Sequence, residues 1–309
     1  MSAILSKSLK KRFMKYGVIY LLIAPVIIYF VIYKYLPMAG LLMAFKDYKI
    51  GYGILGIFTS KWVGLEHFER LFNGYYFSRI LWNTVIISLM KLAVGFPLPI
   101  LFALMLNEVR NRAYKRTVQT ISYLPHFLSA VVMYGLVTAV FSPTYGLVNS
   151  LRVQMGMETV YYVASAKYFR WLLVLIDTFQ HTGWNAIIYL AAITGIDPGL
   201  YEAATIDGAG RFQRIRHITL PGLSPLIVLL FILSLGGILD AGFEMVLLMY
   251  SPTVYSVGDI IDTYAYREAI FRADYDFATA IGLFKSIVGL LLVVATNTVV
   301  KRLGGKGVW

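Results

Sequence analysis

The residues of this 309-residue chain that could do chemistry are few, and most of them interrupt long apolar runs. One group is Asp177, Gln180, His181, Trp184 and Asn185, and a second is Asp240 with Glu244. On a helix, 177, 181, 184 and 188 share one face, and Asp240 and Glu244 stand one turn apart. Polar groups at membrane depth are costly, so such residues are expected to face a bundle interior or a water-filled path. The plainer alternative is internal pairing, for example with Lys91 or Lys285. Two carboxylates a turn apart also raise glycoside hydrolysis. That reaction needs an acid and a base flanking a bound sugar at a defined separation, which a helix pair without an external catalytic domain does not offer. His67, His126, His181 and His217 are too scattered for a metal site. Cysteine is absent, which removes disulfides, thiolate ligands and a cysteine nucleophile.

The elements that must position these groups are membrane helices. The chain is 59 % hydrophobic and 14 % charged, with a mean hydropathy of +0.70; soluble domains carry roughly 25 % charged residues. Six runs near the ~20 residues needed to cross hydrocarbon are expected at 16–36, 80–106, 118–141, 169–193, 222–250 and 277–300. Pro25, Pro97 and Pro99 fall inside the first two, where neighbouring groups can satisfy the freed carbonyls. The run from Tyr16 follows Lys7, Lys10, Lys11, Arg12 and Lys15. It is too long for a signal-peptide core and lacks a small-residue exit, so it reads as a retained helix.

Charge sets the orientation. The two termini and the segments 107–117 and 194–221 hold Arg110, Arg112, Lys115, Arg116, Arg211, Arg214, Arg216, Lys301, Arg302 and Lys306, offset only by Glu108, Asp197, Glu202 and Asp207. These segments, with both termini, are therefore expected in the cytoplasm. The net charge of +12 thus reflects membrane orientation, not nucleic-acid binding. The chain divides into an N-terminal part with one span and an outer loop (1–79), a five-helix core (80–300) and a tail (301–309). In the first outer loop, Phe45, Tyr48, Tyr52, Phe58, Trp62, Phe68 and Phe72 suit a membrane–water interface. They could anchor a lateral helix or offer a surface to an external partner.

One cytoplasmic segment differs from its surroundings. Asp197 before Pro198 makes a capped helix start, Leu200 to Ile206 continue it, and Asp207-Gly208 forms a turn. A second short helix is expected from about Arg211 into the next span. Small residues at Ala203 and Ala204 would let this helix-turn-helix seat closely in another protein, with Glu202 as a directional charge; the plainer alternative is an ordinary loop whose helix packs under the bundle.

Glu202, Ala203, Ala204, Gly208, Ile218, Leu220 and Pro221 occupy every fixed position of a known pattern: Glu-Ala-Ala, three residues, Gly, nine residues, Ile, one residue, Leu-Pro. In this the segment resembles the cytoplasmic loop of binding-protein-dependent ABC importer permeases; Asp207, Ala209 and Pro225 fit its extension, and the resemblance implies that Gly210 belongs with them to the ATPase-coupling loop. Asn83-Thr84, Gly183 through Ala192, Gly242-Phe243-Glu244, Asp262 through Arg267 and Gly307-Val308-Trp309 resemble the carbohydrate-uptake branch, of the polysaccharide, aldouronate and alginate kind. The resemblance implies an all-α, six-helix membrane bundle of the type I importer kind, with this loop coupling it to an ATPase. It implies a bacterial cell-membrane location and, as partners, a second permease, two ATP-binding subunits and an extracellular solute-binding protein. No Gly-x-x-x-x-Gly-Lys-Ser/Thr loop occurs, so no cofactor is expected in this chain, and ATP and Mg would be bound by the partner ATPases. A saccharide substrate would find hydrogen-bond partners in Asp177, His181, Asn185, Asp240 and Glu244 and a flat surface in Trp184. The alternatives are the same machine carrying a polyamine or phosphonate, a membrane-embedded enzyme, and an ion channel or receptor. Only the importer needs an ATPase-docking loop.

Overall fold

The computed structural model describes residues 2–302 and Gly307, with side chains from Tyr16 onward. The side chains of Lys7, Lys10, Lys11, Arg12 and Lys15, together with Lys306, Val308 and Trp309, lie outside the described residues. The described residues are helical almost throughout, and β-pairing among them is one isolated bridge, Lys46 with Trp62. Apart from short helices at Gly53–Thr59 and Leu147–Gln154, the helical runs in the first part of the chain are α1 (Tyr16–Phe45), α2 (Glu66–Phe72), α3 (Phe77–Asn107), α4 (Arg112–Phe127), α5 (Ala130–Phe141) and α6 (Ala166–Thr194). They continue with α7 (Pro198–Ile206), α8 (Arg211–Gly236), α9 (Phe243–Met249), α10 (Ile261–Phe271) and α11 (Tyr275–Arg302).

Among the described residues, α1, α3, α8 and α11 are each long and apolar enough to cross a membrane, and α4 with α5 forms a fifth candidate bent by 105°. The expected sixth span is α6. Its 29 residues reach roughly 43 Å at 1.5 Å per residue, but its centre is polar. Two expectations need correcting. The run 118–141 is not one straight helix: Pro125 and the capping Ser129 break it, Ser129 accepting a hydrogen bond from the Val132 amide to begin α5. The run 222–250 is also broken, at 237–242, where two consecutive glycines end α8 and Gly242 takes φ +85°.

The chain forms two compact units, residues 1–72 with 268–283 and residues 73–267 with 284–309. In the first, Phe45 stacks on Trp62 with ring centroids 5.5 Å apart, and Arg70 pairs with Asp274 at 2.7 Å. In the second, α6 is the central element, packed on α3, α4 and α8. Its Phe169, Leu172, Leu173 and Ile176 enter one apolar cluster with Ile87, Met133, Val246 and Met249. Its Ala186, Tyr189 and Ile193 enter another with Ile100, Leu104 and Leu223. Both sets follow helical spacing. They leave the polar stretch of α6 between two dry cores.

Candidate functional site

That stretch lines two cavities. The first, about 480 Å³, is bounded by Asp177, His181 and Asn185 of α6, Ser88 and Lys91 of α3, and Ser234 and Asp240. The second, about 500 Å³, again has Lys91, Asp177, His181 and Asp240, and adds Gln180 and Glu244. Lys91 Nζ lies 3.1 Å from Asp177 Oδ1. His181 Nδ1 is 2.9 Å from the Asp177 carbonyl oxygen; because that oxygen can only accept, the Nδ1–H tautomer is the one that bonds.

The structure thus brings Asp177, His181, Asn185, Asp240 and Glu244 to one connected wall, and it treats the rest differently. Asp240 and Glu244 are not one turn apart on a helix. Asp240 lies in the break between α8 and α9, accepting from the Gly242 amide at 3.2 Å, while Glu244 starts α9. Trp184 stacks flat on His126 with centroids 4.5 Å apart and lines neither cavity. Gln180 Nε2 donates to the Leu128 carbonyl at 2.9 Å, holding the α4–α5 corner. Of the internal partners weighed from sequence, Lys91 takes Asp177, whereas Lys285 takes Asp262 at 2.7 Å. Ser88 and Ser234 as wall residues were missed, although 88, 91, 92 and 95 share a face of α3 and all line the first cavity.

The loop expected in the cytoplasm forms as its local signals dictate. Asp197 Oδ1 accepts from the Gly199 amide at 2.9 Å, with Pro198 at the first position of α7. Gly208 takes φ +76°, and the Ala209 amide donates to the Ala204 carbonyl at 2.8 Å, so α7 ends in a left-handed residue. Gln213 accepts from the Gly210 amide at 2.7 Å and begins α8. The second helix runs from Arg211 into the next span, as expected, through a π-turn at Ile215–Thr219 that carries it past Pro221. Tyr201 Oη and Thr219 Oγ1, 2.9 Å apart, tie α7 to α8.

Glu202 and Ala203 are exposed, Ala204, Ala209, Ile218 and Leu220 are half-buried, and Asp207, Gly210 and Pro221 are exposed. The sequence reading placed the contact on small residues. The structure adds a larger apolar tip, with Ile206 88 % and Phe212 73 % exposed. Among the described residues, none covers these two side chains to more than a minor extent.

Comparison with known proteins agrees with this arrangement. Residues 95–305 match the family model described as binding-protein-dependent transport system inner membrane component. The polygalacturonan/rhamnogalacturonan transport system permease protein YteP of Bacillus subtilis is 45 % identical, over 94 % of this chain and 90 % of its own. Protein LplB of the same organism is 42 % identical, over 94 % and 91 %. A crystal structure of a bacterial ABC transporter involved in the import of the acidic polysaccharide alginate contains a chain with a TM-score of 0.87. It is 42 % identical, and the match covers 96 % of this chain and 99 % of that one. A second structure, of the bacterial alginate transporter in complex with an alginate pentasaccharide-bound periplasmic protein, matches with a TM-score of 0.86, 41 % identity and coverage of 96 % and 99 %.

Proposed function

This chain belongs to the family of binding-protein-dependent transport system inner membrane components, and we propose that it is a permease subunit of an ATP-driven importer for oligosaccharides or complex glycans. One observation carries the mechanism. The helix that walls the cavities, α6, leads directly into α7, and α7 is tied through Tyr201 and Thr219 to α8, whose far end supplies Ser234 to the first cavity. A force on α7 therefore reaches both walls through rigid helices. ATP-driven closure of a separate ATPase dimer would move α6 and α8 and switch the path between its two openings.

In this reading Leu200, Ile206 and Phe212 fill an apolar cleft on the ATPase, and Glu202 pairs with a basic group at its edge. Asp207, Gly208, Ala209 and Gly210 reverse the chain, and Ile218, Leu220 and Pro221 carry the motion into α8. The chain itself hydrolyses nothing; ATP and Mg belong to two ATP-binding subunits, and a second permease completes the path. An external binding protein delivers the saccharide, which meets Asp177, His181, Asn185, Asp240 and Glu244. Both termini face the cytoplasm of a bacterial cell. The hydroxyl, carboxylate and amide lining suits a polyhydroxylated solute; a polyamine or phosphonate is the second reading.

Two measurements test this. Glu202→Lys in an assembled, well-expressed complex is expected to abolish uptake while leaving insertion intact, and normal uptake would remove the docking role. A glycan screen against the cognate binding protein is expected to return saccharides, and exclusive binding of amino acids or metal ions would end the sugar assignment.

A further inference from the structure

We propose that Lys91 and Asp177 form an internal gate at the waist between two lobes of the pathway, a role that rests on the pathway reading above. The two cavities share Lys91, Asp177, His181 and Asp240. On α6 their remaining walls overlap only beside Asp177, where Thr178 lines the first cavity and Gln180 the second, and beyond that turn they separate along the chain. On α6, Leu173 and Ile176 belong to the second cavity, and Asn185 and Tyr189 to the first. Helical rise places these pairs at successive levels, with Asp177 between the lobes. The break after α8 has the same order: Ser234 lines the first cavity and Glu244 the second, with Asp240 shared.

The ion pair spans this waist. Lys91 reaches from α3 to Asp177 on α6 at 3.1 Å, with its side chain 12 % exposed. Its ammonium also presses on the backbone at the α8–α9 break, where a Cβ on Gly242 would collide with Nζ. One flexible cation thus joins three wall segments. Asp240 lines the same two cavities and Glu244 the second, so the ammonium has alternative acceptors nearby. A lysine can exchange partners by rotating its stem, without moving a helix. Transfer of Lys91 from Asp177 to these carboxylates, or to a solute hydroxyl, opens the waist.

The chain has no cysteine, so single reporters can be read directly as a mass shift of this chain. Ala130→Cys reports the second lobe and Ser234→Cys the first, in complexes co-assembled with their partner subunits in sealed vesicles. The probe is a membrane-impermeant maleimide added from each side in turn. From the side that labels Ala130→Cys, Ser234→Cys is expected to react at least about tenfold more slowly, as for a gate open under about 10 % of the time. Lys91→Met and Asp177→Asn are each expected to bring the two rates to within about threefold. The exchange of Lys91→Asp with Asp177→Lys is expected to restore the slow rate. Equal labelling with the native pair overturns the gate. So does continued protection of Ser234→Cys in both neutral variants while Ala130→Cys still labels, or failure of the charge exchange to restore protection in an assembled complex. The labelling needs no solute. A failed glycan screen beside the expected labelling would sink the sugar assignment alone, and the reverse result would sink the gate alone.

Discussion

Trp184 of α6 lies flat on His126, ring centroids 4.5 Å and planes 4° apart, at the corner where α4 turns by 105° into α5. Phe127 meets the same indole edge-on at 5.4 Å, so one side chain fixes two residues of the corner. Aromatic pairs contribute about 0.5–1.5 kcal/mol each beyond the area they bury. Trp184→Ala is therefore expected to lower the thermal midpoint of the purified complex by several degrees, at roughly 2–4 °C per kcal/mol. Trp184→Phe should recover most of that and keep uptake. Lost uptake at an unchanged midpoint would instead make Trp184 a solute contact.

Gly183 precedes this tryptophan for a separate reason. A Cβ there would fall inside the Ser122 backbone carbonyl, so α4 and α6 cross at a distance only glycine permits. Overpacking typically costs about 1–3 kcal/mol, and backbone cannot yield as a flexible side chain does. Gly183→Ala should reduce both the yield of folded complex and its thermal midpoint, and Gly183→Val should do so further. A Gly183→Val complex with native yield and midpoint would show that the crossing is not tight.

Gly208 behaves oppositely. It has φ +76°, and apart from its chain neighbours no atom of the described residues lies within 4 Å of where its Cβ would be. The penalty is conformational alone, about 1–2 kcal/mol for an L-residue, and smaller for asparagine. Gly208→Val should therefore leave the membrane core folded while redirecting α7. ATPase co-purification is the sensitive readout: it is expected to fall for Gly208→Val and to persist for Gly208→Asn.

What could be read in advance follows from the range of the interactions involved. The Asp197 cap, Pro198 and the Gly208 turn are local, and they appear at the expected residues. Hydropathy located the spans, but it averages over breaks. Pro125-His126-Phe127 and Gly236-Gly237 are apolar or permissive enough to pass for continuous helix. Asp240 was thus set one turn from Glu244 when it lies in a break. The Lys91–Asp177 pair joins positions far apart in sequence, so residue type could offer it only as one option beside a free carboxylate. The exposure of Ile206 and Phe212 is a tertiary fact that no local pattern carries.

Asp259 offers the sharpest electrostatic test. Only 6 % exposed, it receives two hydrogen bonds from the Arg267 fork, both at 2.8 Å, and one each from Thr263 at 2.8 Å and Tyr250 at 3.0 Å. Removing one partner of a buried pair typically costs about 3–5 kcal/mol, because the remaining charge is left without compensation. Arg267→Ala should destabilise on that scale, and Arg267→Lys should restore charge without the two-pronged geometry and recover only part. The pH dependence gives the sign. Burial pushes the Asp259 carboxyl up to about 6, above the ~3.9 of an unfolded aspartate, and loss of Arg267 raises it further. Both folded forms then hold this proton more tightly than the unfolded chain, but the variant takes it up at a higher pH, so its deficit is full above its own raised pKa, shrinks as pH falls toward about 6, and stays level below that. Unfolding midpoints of Arg267→Ala and the unmodified complex should therefore converge on acidification. A gap that stayed constant from pH 8 to pH 5 would mean that the arginine acts through its packing on Tyr250 and Tyr255 and not through the carboxylate.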